Sequence, residues 1–235
     1  MLQKVEETFT AIGGQFITPA AQLAEKLKNI KAFVFDWDGV FNDAIKSTGH
    51  PNGFSEADSM GINLMRYDYY YRNGQLPVAA IISGEENPTA FDFANRESFY
   101  AFYFRIKNKN EAFEHFCKAH SLQPENVAWF YDDVLDLGMA KICGARFYLG
   151  RKSQPLTTRF VLENGLTDYI TAHEGGQHAL RECAELIMAL NGTFDQLVNN
   201  RLSFAPNYAE YFAKRNEVKP LRYTRTEEGV QEIKP

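Results

Sequence analysis

Cysteine is scarce: Cys117, Cys143 and Cys183 are the only three in 235 residues, and none forms a C-x-x-C pair. An odd, dispersed set makes a poor disulfide framework or thiolate zinc site, and it suits a reducing cytosol. All three sit in helix-like surroundings, where buried inert thiols are expected. No run of 18 apolar residues occurs, which argues against a membrane-spanning helix. Met1 to Glu7 reads MLQKVEE and lacks an apolar signal core; the expectation is a soluble, cytoplasmic chain with no membrane partner. Basic charge is not in excess, since 25 Lys and Arg face 30 Asp and Glu for a net of −5. That argues against a nucleic-acid partner. There is no G-x-x-x-x-G-K and no G-x-G-x-x-G, which disfavours a nucleotide-binding module. His50, His115, His120, His173 and His178 show no ligand spacing such as H-E-x-x-H.

Aromatic residues are abundant: 19 Phe, 12 Tyr and 2 Trp. Such a chain folds around a real core rather than staying disordered. Thr18-Pro19 reads as an N-cap and first-turn proline before a helix with Leu23, Leu27 and Ile30 on one face. Short, almost wholly apolar runs follow at 31–35, 78–82 and 127–131, with weaker ones at 145–149 and 169–171. Helical stripes cover 109–120 and 177–190. Buried strands alternating with helices predict an α/β fold with a central, mostly parallel sheet and helices on both faces. Ligands of such sheets bind where the strands end, so the residues to question are Asp36, Asp38, Ser83, Asp132 and Asp133.

Each has a bland reading beside a chemical one. Asp36-Trp37-Asp38-Gly39 places two carboxylates at i and i+2 after a strand, a repulsive pair that needs a cation or a proton; it could equally be a solvated turn. Ser83-Gly84-Glu85-Glu86 is a capping box that could start a helix, and a helix start is also an oxyanion site. Lys109 alone reads as solvated surface. In Asp132-Asp133-Val134-Leu135-Asp136, helix-start preference explains Asp133 or Asp136 but not Asp132 at a buried strand end.

Taken in order, D-x-D-G, then Ser83, Lys109 and Asp132-Asp133 resemble the four loops of the haloacid dehalogenase (HAD) superfamily of aspartyl phosphotransferases. Over roughly residues 20–195 the chain is similar to the 3-deoxy-D-manno-octulosonate 8-phosphate phosphatases. The residues that carry this are Asp36-Trp37-Asp38-Gly39-Val40-Phe41, Pro124 to Ala128, and Gly175-Gly176-Gln177-His178-Ala179-Leu180-Arg181-Glu182. The resemblance implies a Rossmann-like HAD fold with a β-hairpin insertion at Ile45 to Phe54 and no large cap domain. It also implies a homotetramer in which neighbours cover the site, and the aromatic excess is then read as core plus subunit interface. Residues 1–195 would be one phosphatase domain with an N-terminal helical extension. Residues 196–235 would be a C-terminal tail, docked on the chain itself or on a neighbouring subunit.

The implied chemistry is Mg2+-dependent hydrolysis of a small phosphorylated sugar acid. Asp36, Asp38, Ser83 and Lys109 are the catalytic set. Ser83, Gly84, Lys109 and Asn42 would bind substrate; Asp36, Asp38, Asp132 and Asp133 would hold the metal. There are departures. Glu85 stands where the family carries a cation, with Arg105 and Lys107 as candidates to offset it, and Tyr131 replaces a glycine. They leave open another sugar phosphate, such as a nonulosonate 9-phosphate, or a catalytically degenerate scaffold.

Overall fold

The computed structural model describes residues 1–46 and 53–234. In chain order its elements are α1 (Leu2–Ala11), β1 (Gln15–Phe16), α2 (Ala20–Leu27), β2 (Ala32–Phe35), α3 (Glu56–Asn73), β3 (Val78–Ile82), α4 (Pro88–Arg96), β4 (Ala101–Phe104) and α5 (Lys109–Ala119). They continue with β5 (Val127–Tyr131), α6 (Leu137–Ala140), β6 (Ala145–Tyr148), α7 (Pro155–Glu163), β7 (Tyr169–Ile170), α8 (Ala179–Leu190), α9 (Phe194–Leu202), α10 (Pro206–Glu217), β8 (Leu221–Thr226) and β9 (Gly229–Glu232).

The nine strands form one sheet in the order β1-β7-β6-β5-β2-β3-β4-β8-β9. Among the described residues only the two outermost pairings, β1 with β7 and β8 with β9, are antiparallel. Strand alternation divides the core. Phe33 and Phe35 face a layer built from α1 to α4 and α8 to α10, while Ala32 and Val34 face α5, α6 and α7. Both faces are therefore covered, which is why the strands read as continuous apolar runs. No cap domain is present among the described residues.

Several local expectations are corrected. Pro19, not Thr18, is the N-cap of α2, and Ile30 lies beyond the helix end at Leu27. The Thr18 hydroxyl instead donates to Asp168 at 2.6 Å. Ser83 starts no helix; Asn87 caps α4 by accepting from Thr89 N at 3.1 Å. The stripe at 177–190 becomes helical only at Ala179. Of the hairpin expected at 45–54, residues 47–52, including His50, lie outside the described residues.

Much of the aromatic excess is buried within the chain itself. Tyr67 packs at 5.1 Å from Tyr208 and 5.3 Å from Tyr211, and Tyr70 lies 5.7 Å from Tyr211. The segment read from sequence as a tail, 196–235, thus carries most of α9 and all of α10 over this aromatic face, and supplies β8 and β9 to the sheet edge. β8 runs parallel to β4 with Tyr103 opposite Tyr223, whose rings stack at 4.9 Å.

Candidate active site

β2, β3, β5 and β6 all run the same way, so the residues that follow them converge on one edge of the sheet. A cleft of about 500 Å³ opens there, lined by Asp36, Asp38, Ser83, Gly84, Glu85, Lys109, Asp132, Asp133 and Asp136, with Lys46, Lys107 and Arg151. Of the residues expected to be catalytic, to bind substrate or to hold the metal, only Asn42 is not among them.

Asp36 follows β2 directly and its N–H is held by Phe130 O of β5 at 3.0 Å. Its carboxylate meets Lys109 Nζ at 2.5 Å, and the same ammonium meets Asp136 Oδ1 at 2.5 Å. All three groups are buried, and Lys109 also sits 5.7 Å over the Trp129 ring. A lysine at a helix start is ordinarily solvated; this one is drawn inward by two carboxylates. The Asp136 position follows from the turn at 134–136. That turn brings its Oδ2 back to accept from Asp132 N at 3.4 Å and Asp133 N at 3.2 Å.

Asp36, Asp132 and Asp136 each place a carboxylate oxygen within 4.8 Å of the others. Asp136 thereby joins Asp36 and Asp132, two of the four residues expected to hold a metal. Asp133 lines the cleft but is exposed and caps the 134–136 turn, accepting from Val134 N at 2.7 Å. The Asp38 carboxylate stands outside the cluster, also in the cleft, with Lys46 Nζ 3.2 Å away. Asp136 takes the third place.

Burial, and then the charge of Asp136, pushes the Asp36 carboxyl up to about 7 against the pull of Lys109. Burial, with Asp36 and Asp136 beside it, pushes Asp132 up to about 9. Burial also opposes charge on Lys109, yet Asp136 and Asp36 outweigh it and hold the ammonium above its ordinary value. Close buried carboxylates of this kind are stabilised by a cation. The cluster fits one: Asp132 Oδ1 is buried with no hydrogen-bond partner. Six carboxylates against four cationic side chains leave the described lining two negative charges in excess, which one divalent ion would neutralise. Hard oxygen donors suit magnesium-like ions.

Gly39 makes this packing possible. Its φ is +89°, and a Cβ there would lie 2.1 Å from Asp132 Oδ2 and 2.1 Å from Arg151 Nη2. The glycine pair at 175–176 backs the same loop, since a Cβ on Gly175 would lie 1.9 Å from Gly39 O. Asn42, expected to bind substrate, is buried in that loop instead. It accepts from Ala44 N at 2.9 Å and Gly39 N at 3.3 Å, and donates to Gly53 O at 3.4 Å.

Ser83 is buried just after β3 and lines the cleft, its N–H bonded to Tyr103 O at 2.9 Å and its hydroxyl accepting from Glu85 N at 3.3 Å. Arg105 does not offset Glu85; it pairs with Glu86, which Arg222 of β8 also meets at 3.3 Å. Lys107 does share the cleft with Glu85. Tyr131 is buried and donates to Leu166 O at 2.9 Å, so it fills core where a glycine would leave a gap. Sequence reasoning missed two residues. Asp136 was read as a helix-start acid, although i+4 from Asp132 is one helical turn away. Arg151 follows the weaker strand at 145–149, whose end the strand-end rule covers equally.

No family model matches the chain. The 3-deoxy-D-manno-octulosonate 8-phosphate phosphatase of Escherichia coli K12 is 27% identical over 182 residues, covering 75% of this chain and 89% of the relative. A hydrolase ascribed to HAD subfamily III A from Legionella pneumophila superposes with a TM-score of 0.64 at 24% identity, over 77% of this chain and 94% of its own. The 3-deoxy-D-manno-octulosonate 8-phosphate phosphatase of Moraxella catarrhalis, solved with magnesium, phosphate and 3-deoxy-D-manno-octulosonate, gives 0.63 at 24%, over 76% and 97%. The chain therefore has a HAD fold and resembles HAD phosphatases of that type. Among the described residues no helix is long and apolar enough to cross a membrane.

Proposed function

We propose that the protein is a phosphoric monoester hydrolase of the HAD type, dependent on Mg2+. The observation that carries this is one cleft holding Asp36, Asp38, Ser83 and Lys109 beside the buried Asp36–Asp132–Asp136 cluster. The likeness to phosphatases supports it. Asp36, Asp132 and Asp136 would hold the cation, which when bound would offset the charge of the phosphoryl oxygens.

Asp36 Oδ attacks phosphorus in line, and the P–O bond to the sugar breaks. Asp38 gives its proton to the departing alkoxide, leaving an aspartyl phosphate on Asp36. The same carboxylate then takes a proton from the water that attacks the intermediate, releasing inorganic phosphate and restoring Asp36. The Ser83 hydroxyl donates to a phosphoryl oxygen. Lys109, fixed between Asp36 and Asp136, stabilises charge on the transferring group.

The substrate is a small sugar-acid phosphate of the 3-deoxy-D-manno-octulosonate 8-phosphate kind. A second reading, a sugar phosphate without a carboxylate, is favoured by Glu85 lining the cleft. A panel of sugar-acid and neutral sugar phosphates, assayed for phosphate release with Mg2+ and with a chelator, tests both. The account expects release only with the ion and a preference for one class. Release undiminished by chelator would overturn the metal-dependent reading.

A further inference from the structure

Arg151 is not used by any of the steps above, yet it lies deep in the cleft. It follows β6, so it stands at a strand's carboxyl end as Asp36, Ser83 and Asp132 do. Its side chain is 19% exposed, against 56% for Lys46, and Nη2 lies 2.8 Å from Asp132 Oδ2. That nitrogen is buried and makes no hydrogen bond, so the contact with Asp132 is electrostatic alone. Room for it exists only because position 39 is glycine. A buried donor without an acceptor is costly, and a bound ligand is the natural source of one. Lys109 is already shared between Asp36 and Asp136, which leaves the partly buried Arg151 able to take an anion.

We propose that Arg151 is a substrate-binding residue whose guanidinium donates to an anionic oxygen of the phosphorylated substrate when a cation occupies Asp132. This rests on the phosphatase reading. A planar guanidinium fork suits phosphoryl or carboxylate oxygens, which an ammonium matches less well.

The test compares Arg151→Gln and Arg151→Lys with wild type by calorimetric titration of inorganic phosphate in the presence of Mg2+, with KM and kcat for a set of esters. We expect phosphate to bind about 10- to 100-fold more weakly to Arg151→Gln, as for loss of a charged hydrogen bond. Arg151→Lys should fall between. Mg2+ alone should bind Arg151→Gln at least as tightly as wild type, because a competitor for Asp132 is gone; a merely structural role would weaken it. Equal losses for inorganic phosphate and all esters assign the contact to phosphoryl oxygens. Losses confined to carboxylate-bearing esters assign it to the sugar acid. Phosphate and ester affinities of Arg151→Gln indistinguishable from an active wild type would overturn the proposal. If that variant does not fold, wild-type affinities in Arg151→Lys overturn it. A wild type that neither hydrolyses esters nor binds phosphate would overturn the phosphatase reading first, and this inference with it.

Discussion

Replacing Asp168 by asparagine should destabilise the protein far more than a surface change would. Asp168 is wholly buried and accepts from Arg146 Nε and Nη2 at 2.9 Å each, from Lys26 Nζ at 2.6 Å and from Thr18 Oγ1 at 2.6 Å. It thereby ties α2 to β6 and to the start of β7. Breaking one partner of a buried ion pair costs about 3–5 kcal/mol. Lys26 is 36% exposed and Arg146 16%, so both can partly rehydrate and the lower end, about 3 kcal/mol, applies. For a chain of this size that is a fall in Tm of roughly 6–12 °C. Burial alone would raise the Asp168 carboxyl, but the hydrogen bonds from Arg146, Lys26 and Thr18 outweigh it and hold the group below 3.8. A folded value below the unfolded one stabilises the fold above the unfolded value, and that contribution is lost as pH falls through the folded value. Denaturant unfolding of wild type and Asp168→Asn at several pH values from 7 downward measures both effects. The gap between the two proteins should be widest near neutral pH and shrink below about pH 4. A difference in Tm within error at pH 7, or a gap that widens in acid, would refute the reasoning.

Two further substitutions probe the cleft. Gly39→Ala places a Cβ 2.1 Å from Asp132 Oδ2 at a backbone φ of +89°. Left-handed strain of about 1–2 kcal/mol should lower stability modestly, while displacement of Asp132 should abolish thermal protection by Mg2+; retained protection would contradict the packing. Asp136→Asn removes one carboxylate from the cluster and one of the two partners of Lys109. Mg2+ affinity, measured by calorimetry, should fall about 10- to 100-fold, and unchanged affinity would remove Asp136 from the site.

Much of this site can be read directly from the chain. A buried parallel strand is almost wholly apolar, so the first polar residues after 31–35, 78–82 and 127–131 stand out, and they are Asp36, Ser83 and Asp132. Reading fails where a side chain's destination depends on a turn. Asp133 and Asp136 look alike in sequence, but the tight turn at 134–136 sends one to solvent and the other under Asp132. Asn42 looks like a ligand group until its hydrogen bonds to Ala44 and Gly53 are seen. The longest helix, α3, gave no one-sided stripe because Asp58 to Tyr70 is buried almost throughout, between the sheet, α8 and the C-terminal helices. Several of its buried polar groups find partners, although Asp58 Oδ2 and Arg66 Nε make no hydrogen bond. Asp58 accepts from Arg181 N at 2.8 Å, and Ser59 donates to Glu97 at 2.8 Å. The C-terminal segment is polar and mixed in charge, as β8 shows with Leu221 to Thr226 lying at most partly buried except at Tyr223. Only the register against β4 reveals it as sheet.

The nucleophile is the centre of the account, and Asp36→Asn tests it most directly. Phosphate release from a small phosphate ester should be measured for wild type and variant with Mg2+ present, and folding checked by circular dichroism. The account predicts turnover by wild type and none by a correctly folded Asp36→Asn protein. Turnover by the variant at the wild-type rate would contradict it.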